Sequence, residues 1–179
     1  MEIGQKRIAL DDSRVISFRP TAPEDEPFLQ SVYGSTRLEE LALTNWSEEQ
    51  RNAFIKMQFN AQQIHYREYY PSGEQFIILA DGNAVGRLYV AEIEKEIRIL
   101  DITVLPERRS AGIGTPIIRE LMNEATRIGK PLRIYVESYN RSRGLFERLG
   151  FVKSGESGYS YLMEWRGERP AAAREEREQ

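Results

Sequence analysis

The stretch V-L-P-E-R-R-S-A-G-I-G-T-P-I-I-R-E-L, residues 104–121, constrains the fold of this chain more than any other segment. It follows an apolar β-type run, 97–104, stopped by Pro106. It leads into a helical pattern that must end at Gly129, with Pro131 just beyond. A second β-type run, 132–136, comes next. Strand, helix and strand in that order make a crossover, which joins parallel strands of one sheet. The loop in between is built for an anion. A helix start leaves backbone N–H groups without internal partners and carries partial positive charge. Gly112 and Gly114 let a phosphate approach those groups with no Cβ in the way. Pro116, tolerated mainly in a first helical turn, pins the helix start close to Gly114.

Two common phosphate-binding loops are excluded by the residues present. A dinucleotide fingerprint needs a third glycine where Ile117 stands, and a P-loop needs Gly-Lys-Ser/Thr after its glycines. Alone, a G-x-G at a helix start also suits a plain structural turn.

The rest of the chain predicts hairpins and helices. Residues 75–80 and 84–91 are β-type runs around the turn signal Asp81-Gly82-Asn83. Residues 15–19 read as a short strand, and Thr21 with Glu24 as a capping box opening a helix towards Gly34. Another helical turn or two is expected over 38–43. Ser47 with Gln50 is a second capping box, and the apolar residues from Phe54 to Ile64 recur at helical spacing until Pro71. A short helix over 142–149 closes at Gly150, and 151–153 with 159–165 form a final hairpin. The expected class is α/β, of the mixed α+β kind: a mostly antiparallel sheet with one parallel pair and flanking helices. Residues 1–14 predict a flexible arm, 15–166 a single domain and 167–179 a solvated tail.

Composition narrows the chemistry. There is no cysteine and one histidine, His65, which rules out thiolate catalysis and multi-histidine or cysteine metal sites; no metal is expected. A net charge of -3 gives no reason to expect a nucleic-acid partner. No apolar run approaches the ~20 residues that span a bilayer, and residues 1–10 lack the apolar stretch of a secretory signal. A soluble, cytoplasmic protein with no membrane partner is expected. The apolar final strand offers an edge through which a homodimer could pair.

Context turns the glycine loop into a specific signal. Arg109-Ser110-Ala111-Gly112-Ile113-Gly114, after a V-x-P strand end, resembles the [Q/R]-x-x-G-x-[G/A] motif of the GNAT N-acetyltransferases. N-R-S-R-G-L-F-E-R-L-G-F, residues 140–151, is similar to that family's second signature, and the two blocks stand in the expected order. The resemblance covers 75–165 and implies the GNAT fold, with two parallel strands that splay apart. It implies acetyl-CoA as co-substrate, its diphosphate on Arg109, Ser110, Ala111, Gly112, Ile113, Gly114 and Thr115. The pantetheine arm would then lie along Thr103 and Val104, held by Asn140, with Phe146 also among the cofactor contacts. It also implies an amine acceptor that attacks the thioester directly, with no acyl-enzyme.

Such a reaction needs a group to take the amine proton and a group to protonate the departing thiolate. For the first, Asp101 is the candidate. It lies in I-R-I-L-D-I-T-V, where apolar neighbours suggest burial, and it occupies the position where many family members have glutamate. A structural ion pair with Arg98 or Arg133 is the competing reading. For the second, the family commonly uses a tyrosine where this chain has Phe146, which has no proton to give. Tyr139 and Ser142 are the substitutes at hand. A non-catalytic acyl-CoA-binding or sensing module is the alternative that this departure supports. The acceptor site is expected from 33–70 and the final hairpin, with Trp46, Met57 and Phe59 as lining candidates and Glu39 and Glu40 as attractors of a cationic amine.

Overall fold

The computed structural model describes residues 1–10 and 13–167. Eight strands form one sheet in the order β1-β2-β3-β4-β5-β6-β8-β7: β1 (Arg7–Ala9), β2 (Val15–Pro20), β3 (Gly73–Ala80), β4 (Asn83–Ile93), β5 (Glu96–Val104), β6 (Leu132–Glu137), β7 (Val152–Ser157) and β8 (Ser160–Trp165). Every neighbouring pair is antiparallel except β5 and β6, the pair that the crossover demands. The helices are α1 (Glu26–Ser35), α2 (Leu38–Ala42), α3 (Glu48–Tyr69), α4 (Gly114–Ile128) and α5 (Arg143–Arg148).

Alternation along the strands sorts residues to two faces. Ile16, Ile78, Leu88, Val90, Ile97, Ile99 and Ile134 meet Ile117, Ile118 and Leu121 of α4 and Phe146 of α5 in the larger core. On the other face Ile77 packs with Leu29 and Tyr33 of α1 and Phe59 of α3 in a smaller one. Ser47 caps α3 as expected: its hydroxyl accepts from Gln50 N–H at 3.2 Å, and Gln50 Oε1 accepts from Ser47 N–H at 2.9 Å. Gly129 ends α4 in the left-handed region, φ 70°, and Lys130 N–H bonds back to Ala125 C=O.

Three expectations need correction. Residues 1–14 are not a loose arm in their described part. A 3-10 turn (Glu2–Gln5) buries Ile3 completely, and β1 pairs with β2, because Ile3 and Ile8 supply apolar surface that the core takes up. Thr21 and Glu24 form no capping box. Asp25 stands before α1 without a side-chain cap bond to it; its Oδ2 accepts from Ala22 N–H at 2.8 Å and so closes a 3-10 turn (Pro23–Asp25) that leads into α1. The final strand β8 is no edge; it lies between β6 and β7, and β7 forms the rim. The tail 168–179 lies outside the described residues.

Asp25 also receives both guanidinium nitrogens of Arg19, at 2.6 and 2.7 Å. This bond, against a smaller opposing effect of burial, lowers its pKa from 3.8 to about 2. A depressed carboxylate stabilises the fold above its unfolded pKa and loses that effect as pH falls through the folded one. Arg19 is partly solvated, so about 1–2 kcal/mol is expected. Acid titration of stability should therefore show Asp25→Asn below the parent at pH 6, with the gap closing between about pH 4 and pH 2. A gap that persists unchanged at pH 2 would exclude this ion pair as its source.

Candidate active site

The parallel pair β5–β6 is joined over only three residues: Ile97 with Leu132, Arg98 with Arg133 and Ile99 with Ile134. Past that point the strands part. The reason is a bulge in β5, where Val90 pairs with Ile99 and Tyr89 with Asp101, leaving Leu100 as an extra residue. The bulge turns β5 away while β6 stays paired with β8. The result is a wedge between 100–104 and 135–137, open towards the carboxyl ends of both strands. Gly86 fixes one wall. A Cβ there would stand 2.2 Å from Thr103 C=O, so only glycine lets β4 press so closely on the end of β5.

At the mouth of the wedge the chain runs through a 3-10 turn (Pro106–Arg108) into the glycine loop. Ser110 and Gly112 both have positive φ, 59° and 79°. Alternating hand of this kind folds successive amides into a concave nest. Among the described residues, the N–H groups of Ser110, Ala111, Gly112 and Ile113 donate to no protein acceptor. Those of Gly114 and Thr115, in the first helical turn, have no helical partner either. Ile113, the residue before α4, contributes no side-chain cap. A Cβ on Gly112 would meet nothing within 4 Å, and one on Gly114 only Leu145 Cδ2 at 3.8 Å. The loop is thus an open cradle of amides, with α5 brought alongside it. Arg109 folds back, its Nε donating to Val104 C=O at 3.0 Å, which ties the loop to the strand end. These residues fit a diphosphate by the chemistry of the donors: unpaired amides, a helix start and no side chain in the approach.

The second signature follows β6. Asn140 Oδ1 accepts from Ser142 N–H at 2.9 Å, and Asn140 C=O accepts from Arg143 N–H, so Asn140 shapes the turn into α5. Ser142 C=O accepts the N–H of Leu145 and Phe146, as a helix start requires. Tyr139 is 72% exposed, and its pKa is raised, by desolvation first and then by the Glu137 carboxylate. Phe146 is 2% exposed and packs edge-on against Phe151, centroids 5.2 Å apart. It is a core residue and lines no site, contrary to its place among the expected cofactor contacts.

Asp101 lies on the opposite face from α4, under α3, with its side chain 13% exposed. Its surroundings are not apolar, and its partner is neither Arg98 nor Arg133. Oδ2 accepts from Arg87 Nη2 at 2.5 Å and Oδ1 from the Thr103 hydroxyl at 2.7 Å. Arg98 and Arg133 instead share Glu96, and Arg133 also meets Glu164, which holds Arg166. The register explains this: Arg87 pairs with Thr103, one step from Tyr89 and Asp101, on the same face. Arg87 is 1% exposed; Nη2 also donates to Gln62 Oε1 at 2.9 Å. Among the described residues its Nε and Nη1 find no hydrogen-bond partner, but the guanidinium lies over the rings of Tyr33 and Phe59, 5.6 and 5.8 Å from their centroids. Ring faces attract a cation and offset part of that loss.

Arg87, Gln62 and Tyr66 were not anticipated. The Tyr66 hydroxyl donates to the bulge carbonyl, Leu100 C=O, at 2.9 Å. Burial first, then the Asp101 charge, raises its pKa, so it stays a donor. A single arginine inside the apolar run V-G-R-L-Y-V was the available signal, because such a residue must be paired. The expected lining residues do not converge: Phe59 is core, Trp46 meets Phe54 edge-on, and Met57 is exposed on α3.

A family model described as an acetyltransferase (GNAT) domain matches residues 42–163. No curated protein matches the chain in sequence. Among solved structures the chain resembles the PaiA N-acetyltransferase of Thermoplasma acidophilum in complex with coenzyme A. That match has 20% identity and a TM-score of 0.64, over 84% of this chain and 98% of that one. An acetyltransferase from Thermus thermophilus matches at 14% identity and TM-score 0.60, over 84% and 96% of the two chains. The histone acetyltransferase HPA2 and related acetyltransferase structure from Corynebacterium glutamicum matches at 17% and 0.59, over 84% and 95%. At these identities the likeness establishes a shared fold.

Proposed function

Because the chain belongs to the GNAT acetyltransferase family, we propose that it transfers an acetyl group from acetyl-CoA to a primary amine of a small molecule or peptide, by direct attack. The observation that carries this reading is the nest of unpaired amides at 110–115, set at the mouth of the β5–β6 wedge. The coenzyme A in the Thermoplasma acidophilum relative supports the same choice of ligand. Acetyl-CoA supplies an activated thioester and a thiolate that leaves readily.

This chain's residues would then divide the work. The amides of 110–115 and Arg109 hold the diphosphate, and the unpaired edge of 100–104 lines the pantetheine arm, with Asn140 across the wedge. Asp101 is the proposed base. Arg87 occupies one of its oxygens with a fixed ion pair, whereas the Thr103 hydroxyl on Oδ1 can rotate. A proton from the amine would reach Oδ1 directly or through Thr103 Oγ1. Tyr139, exposed and kept protonated, and Ser142 are the proposed sources of the thiolate's proton.

Replacing Asp101 with Asn should lower turnover about 10²-fold or more while acetyl-CoA still binds. The measurement is free-thiol release across a panel of amines, beside thermal shift with acetyl-CoA. Full activity in that variant would remove Asp101 from the mechanism. One feature favours the second reading, a non-catalytic acyl-CoA-binding module: Phe146 is sealed in the core, where it can donate nothing. That reading expects binding with no amine-dependent thiol release, so the panel separates the two.

A further inference from the structure

Among the described residues, helix α3 is covered on one side only. At 100° per residue, Ile55, Phe59 and Tyr66 face the sheet and α1, and Ala53, Phe54, Met57, Ala61 and Ile64 line the opposite face. Met57 and Ile64 are each 57% exposed, and Ala53 and Ala61 are exposed too. At the N-terminal end the apolar surface continues through Trp46, edge-on to Phe54, and Leu43, 89% exposed. A surface helix ordinarily turns charge towards water here. This one presents a stripe of small and large apolar residues about 17 Å long from Ala53 to Ile64.

The charges beside the stripe say what covers it. Glu49 and Arg67 lie on the same flank, at opposite ends, and both are exposed. Two antiparallel helices packed face to face bring like flanks together. Centred near Gln58, such a pairing sets Glu49 opposite Arg67 of a second copy, twice by symmetry. It sets Gln50 opposite Glu68, Met57 opposite Ala61, and Phe54 with Ala53 opposite Ile64. Large residues meet small ones and no like charges meet. Helix ends of opposite polarity also lie side by side, which the helix dipoles favour. The surface is complementary to itself.

We propose that this chain forms a two-fold homodimer through the outer face of α3, antiparallel, with Met57 and Ala61 at its centre, Ile64 against Phe54 on either side of it and Glu49–Arg67 pairs at its ends. The β7 rim, whose strand is mostly exposed and carries Lys153 and Glu156, takes no part. A helix pair of this size buries less than the ~800 Å² per partner of a stable complex, so a dissociation constant of about 1–100 µM is expected.

Light scattering should show the mass rising from 20.8 kDa towards twice that value as concentration passes through this range. Ile64→Glu, an exposed change that leaves both cores intact, should weaken association at least about 10-fold. Glu49→Arg should weaken it as well, and adding Arg67→Glu to that variant should restore it, which only a Glu49–Arg67 contact between copies explains. Circular dichroism and the acetyl-CoA thermal shift serve as controls for folding. The proposal is overturned by a parent chain that stays monomeric to about 1 mM, well beyond that range. It is equally overturned by a dimer that survives Ile64→Glu, or by a charge swap that restores nothing.

Discussion

Gly112→Trp should abolish the stabilisation that acetyl-CoA gives the parent protein. At about 100 times its dissociation constant a ligand stabilises the folded state by about 2.7 kcal/mol. For a domain of this length that corresponds to a rise of roughly 5–10 °C in Tm. In the variant no rise is expected at the same concentration. A Cβ at Gly112 meets no described protein atom within 4 Å, so a side chain there starts from open space beside the amides that would hold the diphosphate, and an indole is large enough to fill it. Holding a non-glycine residue at φ 79° costs about 1–2 kcal/mol, which lowers the ligand-free Tm without unfolding the domain. The two effects separate cleanly. A variant whose Tm still climbs with acetyl-CoA as the parent's does would show that the nest is not where the co-substrate binds.

Removing Arg87 should be the most destabilising single change in the molecule. Arg87→Met keeps much of the volume between Tyr33 and Phe59 but leaves Asp101 Oδ2 and Gln62 Oε1 without their donor. Breaking a buried pair from one side costs about 3–5 kcal/mol, because the remaining charge is stranded. Denaturant unfolding should show a loss of that order. The double change Arg87→Met with Asp101→Leu should recover most of it, since no unpaired charge remains. A loss below about 1 kcal/mol for the single change would mean that Asp101 finds water or another partner. The same pair decides how Asp101 can act. An aspartate anchored by a guanidinium on one oxygen and by a rotatable hydroxyl on the other is held in one orientation.

Much of this was legible in the residues themselves. The crossover at 104–136, the hairpin at Gly82, the Ser47 cap and the stop at Gly129 are local instructions, each enforced by backbone chemistry within a few positions. The anion cradle belongs with them, since two glycines, a proline and a helix start suffice to define it. The GNAT resemblance rested on these same short blocks. Where reading failed, the deciding contact was distant. Ile3 looked like part of a polar arm because nothing near it in sequence shows the core that receives it. Thr21 and Glu24 had the right spacing for a cap, but Asp25, held by Arg19, takes the Ala22 N–H and closes a 3-10 turn there instead.

The sequence by itself thus determined the order of the strands from β2 onward, the parallel pair and the anion cradle at the helix start, all of which depend on interactions between near neighbours. Only the tertiary structure decided the partner of Asp101, the burial of Phe146, the interior place of β8 and the uncovered face of α3. The first depends on register and on a one-residue bulge at Leu100, which shifts side chains along β5; the others depend on which elements, distant in sequence, pack together. A bulge changes faces without changing the apolar pattern much. That is why Arg87, and not Arg98 or Arg133, meets Asp101.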